Sequence, residues 1–332
     1  MKLNKNIKIF INYFLGPVLF VWLSWSIYNQ IKQQPNLEQS WIKIKESFSG
    51  PMIYYFLGVI LLMIANWSLE AIKWKISVQH VQSVSFARSF RAVLSGLSFS
   101  VTTPNRIGEY FGRVLYMDEG NRLRVISLTI LGSISQLIIT LFFGITGLLL
   151  LRTELIQTEL QLGSIWINII IGGGTTALLV LTLFYFRIKW LVKWIEKLPG
   201  ISKFAYLINE LEHINATLLI RLLSVSLIRY LVFVIQYYLL FRFFGVDVNW
   251  WQSFWATAVV FFTMSVIPTV ALFEIVQKVF VTREIFSIFT LNTLGVGFVT
   301  SSIWFINLVV PAAIGSLLIV SIKIFKKGNE TN

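Results

Sequence analysis

Cysteine is absent from the 332 residues, which excludes disulfides, thiolate metal sites and a cysteine nucleophile. Histidine is almost absent: His80 and His213 stand far apart and neither lies in an HExxH helix, which argues against a zinc protease. The two aspartates, Asp118 and Asp247, cannot make a DxD metal motif, and there is no Walker A loop. No cofactor is therefore expected, and catalytic machinery is so poorly supplied that the chain is not expected to be an enzyme. Charge is scarce as well. Only 13% of residues are charged and 56% are hydrophobic, against roughly 25% charged in a soluble domain. The deficit runs along the whole chain, so one anchor on a soluble domain does not account for it.

What is present is a series of long apolar runs. A helix needs about 20 apolar residues to cross a hydrocarbon core of about 30 Å. Val125 to Leu151 and Ser164 to Phe186 carry no charge and are long enough. Four more runs complete a set of six expected spans: Ile9–Tyr28, a helix opening at Gly50-Pro51 and ending near Trp67, Leu222–Phe244, and one within Phe298–Ile322. The basic N-terminus and long first run fit a spanning helix better than a cleaved signal peptide. Glu70 falls at the end of the second helix, and Arg229, two turns into its own, is expected to snorkel to the interface.

Prolines are few, and two of them cut apolar runs short. Ala92–Thr103 stops before Pro104, and Ser253–Ile267 before Pro268. At 1.5 Å per residue these make about 18 and 22 Å of helix, short of a crossing. We read 88–117 and 253–282 as two re-entrant helical hairpins, a shape tolerated only where protein or a watery cavity satisfies the free backbone groups.

The net charge of +13 is not a nucleic-acid signature, because no basic face or stripe exists. With both termini cytoplasmic, 18 of the 28 lysines and arginines fall inside and 6 outside, as the positive-inside rule requires. Lys189, Lys193 and Lys197 recur every four residues among Trp190 and Trp194. That pattern fits either a helix lying on an anionic membrane surface or a solvated connector. The expected organisation is a first membrane half over 1–186, an amphipathic cytoplasmic connector over 187–221 and a second membrane half over 222–332.

The hairpins resemble each other. Ser89-Phe90 precede Pro104 by the same distances as Ser253-Phe254 precede Pro268, and Ala92 and Ala256 share that register. Glu109 and Arg113 stand four apart beyond the first proline, as do Glu274 and Lys278 beyond the second. The orientation makes the hairpins enter from opposite sides, an inverted-topology repeat of the kind found in alternating-access transporters. Each returning arm would begin mid-membrane, with its helix N-terminus free to hold an anion such as a phosphate. An intramembrane charge is a functional hypothesis by default. The competing reading is that Glu109–Arg113 and Glu274–Lys278 are i,i+4 pairs that neutralise each other or pin the hairpins.

Thr102–Leu115, which reads Thr-Thr-Pro-Asn-Arg-Ile-Gly-Glu-Tyr-Phe-Gly-Arg-Val-Leu, resembles the proline–arginine–glycine–glutamate…arginine signature of the lysylphosphatidylglycerol synthase transmembrane region, also called flippase-like domain proteins. The family's second motif is matched only at Pro268 and Glu274. The resemblance implies a multi-pass protein of the bacterial inner membrane that moves or handles phospholipid-like molecules, without the aminoacyl-transferase domain of the full synthase. It carries over Pro104, Arg106, Gly108, Glu109 and Arg113. The leading expectation is a lipid flippase-like transporter whose anionic head group meets Arg106, Arg113 and Lys278, with Glu109 and Glu274 orienting those cations or carrying a proton. Membrane lipids are its expected partners, and a homo-oligomer or a partner subunit is compatible with the chain. The alternatives are a noncatalytic membrane scaffold or accessory subunit and a secondary transporter of a small anion.

Overall fold

The computed structural model describes residues 47, 50–101, 103, 106–157, 164–196, 209–267 and 271–320, and among these it is helical with no strand. In chain order the helices are α1 (Ile53–Val78), α2 (Phe86–Ser100), α3 (Gly108–Val114), α4 (Arg124–Leu150), α5 (Arg152–Gln157), α6 (Ser164–Phe186) and α7 (Ile188–Glu196). A 3₁₀ turn at Asn209–His213 leads to α8 (Ala216–Phe243), α9 (Trp250–Val266), α10 (Ala271–Phe286) and α11 (Thr293–Trp304). A π-helical turn, Phe305–Val309, joins α11 to α12 (Val310–Val320). Pro311 lies just past that turn; having no N–H, it leaves a carbonyl one turn back unbonded, and the register widens there.

Five of the six expected spans appear as helices long and apolar enough to cross a membrane: α1, α4, α6, α8 and the continuous α11–α12 stretch. The sixth, Ile9–Tyr28, lies outside the described residues, as do Pro104 and Pro268. The protein is thus a multi-pass membrane protein. Helices α2 and α9 are shorter, 15 and 17 residues, or about 22 and 26 Å.

Polar side chains fix the helix starts. Ser85 accepts from the Arg88 amide at 3.2 Å, and Asn215 accepts from the Leu218 amide at 2.8 Å. Asn249 and Gln252 form a reciprocal capping box at 2.9 and 3.0 Å. Each of these satisfies backbone donors that a helix start leaves free.

The structure departs from expectation in two places, the end of α1 and the end of α3. α1 does not end near Trp67 but runs to Val78, carrying Glu70 and Lys73 into the packed interior. It continues because Arg113 and Arg229 on other helices neutralise Glu70, and Glu70 in turn pairs with Lys73. α3 stops at Val114, before the expected Met117. The chain can turn there because Arg88 Nε donates to the Tyr116 carbonyl at 2.7 Å and Arg122 Nε to that of Met117 at 3.2 Å. Within the basic connector, Ile188 and Val192 of α7 are buried against the body, whereas Lys189, Trp190, Lys193 and Trp194 are exposed.

The body is built on close helix pairs. α1 packs along α8, α4 along α9, and α10 along α11. α2 packs against both α3 and α12. Almost none of α6 is covered by protein. The α2–α3 contact depends on glycine: a Cβ on Gly112 would lie 2.5 Å from the Gly96 Cα and 2.7 Å from the Ser95 carbonyl oxygen. These neighbours are backbone, so no rotamer change relieves the clash.

Gly112→Ala should therefore destabilise the purified protein by about 1–3 kcal/mol. Gly172→Ala is the matched control: it lies in α6 with nothing within 4 Å of its added Cβ, and it should leave the melting temperature in detergent unchanged or raised. Equal melting of the two variants would contradict the assigned α2–α3 packing.

A candidate anion site

Eight ionisable side chains from separate parts of the chain converge on one interior region. Glu70 stands at its centre. Its Oε1 accepts from Arg113 Nη2 at 2.8 Å, and its Oε2 accepts from Lys73 Nζ at 2.9 Å. Arg229 Nη1 also bonds Oε2. One carboxylate from α1 thus binds three cations, from α1, α3 and α8. Arg113 also donates to Glu109 one helical turn away. Arg229 is held further by Asn66 Oδ1 at 2.9 Å and Gln136 Oε1 at 3.3 Å, with Trp67 and Phe233 rings each 5.9 Å away.

A second group adjoins the first. Glu274 Oε1 accepts from Arg106 Nη2 at 2.8 Å and from Lys278 Nζ at 3.3 Å. Arg106 sits in the turn between α2 and α3, whereas Glu274 and Lys278 lie on α10, so this contact joins the two short-helix regions. Arg106 has φ of +57°, a left-handed conformation that costs a residue with a Cβ roughly 1–2 kcal/mol. Its side chain remains 42% exposed although bonded to a buried carboxylate.

Both groups line one cavity of about 630 Å³. Arg106, Glu109, Glu274 and Lys278 line it together with Glu70, Lys73 and Arg229, and its apolar wall includes Phe233, Phe261, Met264, Trp304 and Leu308. The indole nitrogens of Trp67 and Trp304 and the Asn307 Oδ1, all on residues lining the cavity, have no hydrogen-bond partner. Charged groups at one locus with apolar walls around them suit an amphiphilic ligand.

The site residues read from the sequence fall as follows. Arg106, Glu109, Glu274 and Lys278 reach the cavity; Arg113 does not, and lies behind it, bonded to Glu70 and Glu109. Gly108 is held in the turn, its amide donating to Thr103 Oγ1 at 2.7 Å. That bond uses one of the helix-start donors expected to face a ligand. Glu109 and Glu274 occupy the first turns of α3 and α10, so the protein's own carboxylates sit at the positive helix ends. The expectation that Arg229 snorkels is overturned: it is buried and bonded to Glu70. Glu70, expected at a helix end, is instead the centre of the cluster.

Sequence reasoning missed Glu70, Lys73 and Arg229. Their signal was present as charges within or beside apolar runs, and Glu70 and Lys73 pair only three apart, but Arg229 and Glu70 stand 159 positions apart and no local spacing announces that pair. Leaving eight charges isolated at mid-bilayer would cost about 20 kcal/mol or more, at about 2.5–3.5 kcal/mol each. That exceeds the total stability of an ordinary domain, roughly 5–15 kcal/mol, so the pairing is obligatory.

Glu70→Gln would strand Lys73 and Arg229 and leave Arg113 with Glu109 alone, and should destabilise the protein by about 3–5 kcal/mol. Glu109→Gln should cost clearly less, because Arg113 keeps its bond to Glu70. Thermal melting of the two purified variants checks the order, and a reversed order would show that Glu70 is not the anchor.

A family model for the lysylphosphatidylglycerol synthase TM region matches residues 13–297. No curated protein and no solved structure matches the chain. A match over most of the length, on a multi-pass helical body with Arg106, Gly108, Glu109 and Arg113 at its interior site, settles the affiliation: the chain belongs to the lysylphosphatidylglycerol synthase transmembrane-region family.

Proposed function

We propose that the protein is a noncatalytic, flippase-like lipid transporter that takes the head group of an anionic phospholipid or related amphiphile into the charged cavity. Membership of a lipid-handling family supports a lipid-related role. The observation that carries the transporter reading is the Arg106–Glu274 contact, which brings the turn after α2 and the start of α10 to one polar locus. In this reading α2–α3 and α9–α10 are re-entrant hairpins, inserted from opposite sides of a bacterial inner membrane with both termini cytoplasmic. Their first arms, at about 22 and 26 Å, fall short of a 30 Å core. Burial supports their kinship: Ser89 and Ala92 are wholly buried, and so are their counterparts Ser253 and Ala256.

The division of labour follows from exposure. Arg106, partly open to the cavity, meets the phosphate, for which a guanidinium offers two parallel donors. Lys278 adds a second positive charge. Arg113 positions Glu109 and Glu70 without touching the ligand. Acyl chains remain against the apolar wall or in lipid. One observation favours the rival scaffold reading, namely that Glu70, Glu109 and Glu274 all already have cationic partners.

Arg106→Gly separates the two. Glycine adopts φ of +57° freely, so it removes the guanidinium while relieving the turn, and the protein should fold with little change in melting temperature. In reconstituted vesicles, transfer of a fluorescent anionic phospholipid between leaflets should fall at least tenfold relative to wild type. Unchanged transfer, with the variant correctly folded, would discard the transporter role for this site.

A further inference from the structure

The charges around the cavity do not balance, and the imbalance is divided. Among the described residues, Lys73, Arg113 and Arg229 face Glu70 and Glu109, leaving one cation in excess. Arg106 and Lys278 face Glu274 alone, leaving another. Each group contributes cations to the cavity wall: Lys73 and Arg229 from the first, Arg106 and Lys278 from the second. The buried indole N–H groups of Trp67 and Trp304, on residues of the same wall, have no acceptor within the protein. Both nitrogens are closed off from the cavity, and the cationic side chains define the site.

We propose that the cavity is a two-centre site for a head group carrying two phosphate groups, one for each cationic centre. The class comprises lipid diphosphates and lipids with two linked phosphodiesters. The proposal rests on the transporter reading for the lipid part of the ligand, but not for its charge. A single phosphodiester carries one negative charge and would neutralise one centre, leaving the other buried and uncompensated. Two phosphates place an anion at each centre. A cavity of about 630 Å³ lies within the range of about 300–1,000 Å³ typical of small-molecule sites.

Two probes with one tail compare two phosphates with one: farnesyl diphosphate, and farnesyl phosphate, which concentrates about −1.5 to −2 of charge on a single group that can sit at only one centre, titrated calorimetrically into the full-length protein in detergent. The diphosphate should bind at least tenfold more tightly. Arg229→Gln and Lys278→Gln, one at each centre, should each weaken diphosphate binding about tenfold, and only one of them should weaken monophosphate binding. Equal affinities of the wild-type protein for the two probes would overturn the proposal even if neither variant folded. So would variants that affect both probes alike. Inorganic pyrophosphate, which has no tail, tests the lipid part separately. If it binds as tightly as farnesyl diphosphate, two centres exist but the ligand is a free anion, and the lipid reading fails alone. If lipid transfer depends on Arg106 but one phosphate binds as well as two, this inference fails alone.

Discussion

The constraint on which the interior depends is that a charge in a low-dielectric body must have an opposite charge in direct contact. Glu70 meets it for three cations at once, accepting on one oxygen from Arg113 and on the other from Lys73 and Arg229. α1, α3 and α8 are therefore joined through one carboxylate. The geometry of the rest follows. Arg113, tied to Glu70, holds α3 against α1, and Arg106 at the foot of α3 is thereby presented to Glu274 on α10. Shifting α1 by a helical turn would leave Arg229 without a carboxylate and take from Arg113 one of its two, a cost far above that of any single apolar contact in the body.

Such contacts require helix backbones to approach closely, and small residues allow it. Between α2 and α3 the approach is made at Gly96 and Gly112. Between α2 and α12 it is made at Gly315, where an added Cβ would lie 2.0 Å from the Leu94 carbonyl oxygen. Lipid offers no hydrophobic drive for helices to associate, so close packing and polar contacts must supply it. Here the two act together, since the glycine-packed arm α3 carries both Glu109 and Arg113 into the cluster.

Much of the body was legible in the sequence because the membrane imposes a length and a composition. The runs that became α4, α6, α8 and α11–α12 announced themselves by apolar length alone. The short runs before Pro104 and Pro268 became the shorter helices α2 and α9, and the Glu109–Arg113 and Glu274–Lys278 pairs were readable from helical periodicity. What sequence could not give was partnership at a distance. The reading of Arg229 as a snorkelling residue was reasonable for an isolated helix, since the nearer interface is the cheapest place for a lone guanidinium. It failed because Asn66, Glu70 and Gln136, on two other helices, offer a better one. The same oversight ended α1 early: Glu70 and Lys73 look like a helix terminus until their partners are known.

A site made of pre-paired charges has a consequence for how it can work. Every carboxylate here already has a cationic partner, and the excess charge is cationic. A ligand anion gains only the difference between its own contacts and those already made, and only that difference shifts a conformational equilibrium. Arg106 is where this difference is largest, because its guanidinium is part open while Glu274 holds it through a single oxygen. Glu274 also has Lys278 to fall back on. In the proposed transporter an incoming phosphate would take Arg106 without stranding the carboxylate, and the bond between the two short-helix regions would then be free to break. Arg113 and Glu70 offer no such exchange, since both are buried and multiply bonded, and they hold α1 and α3 together.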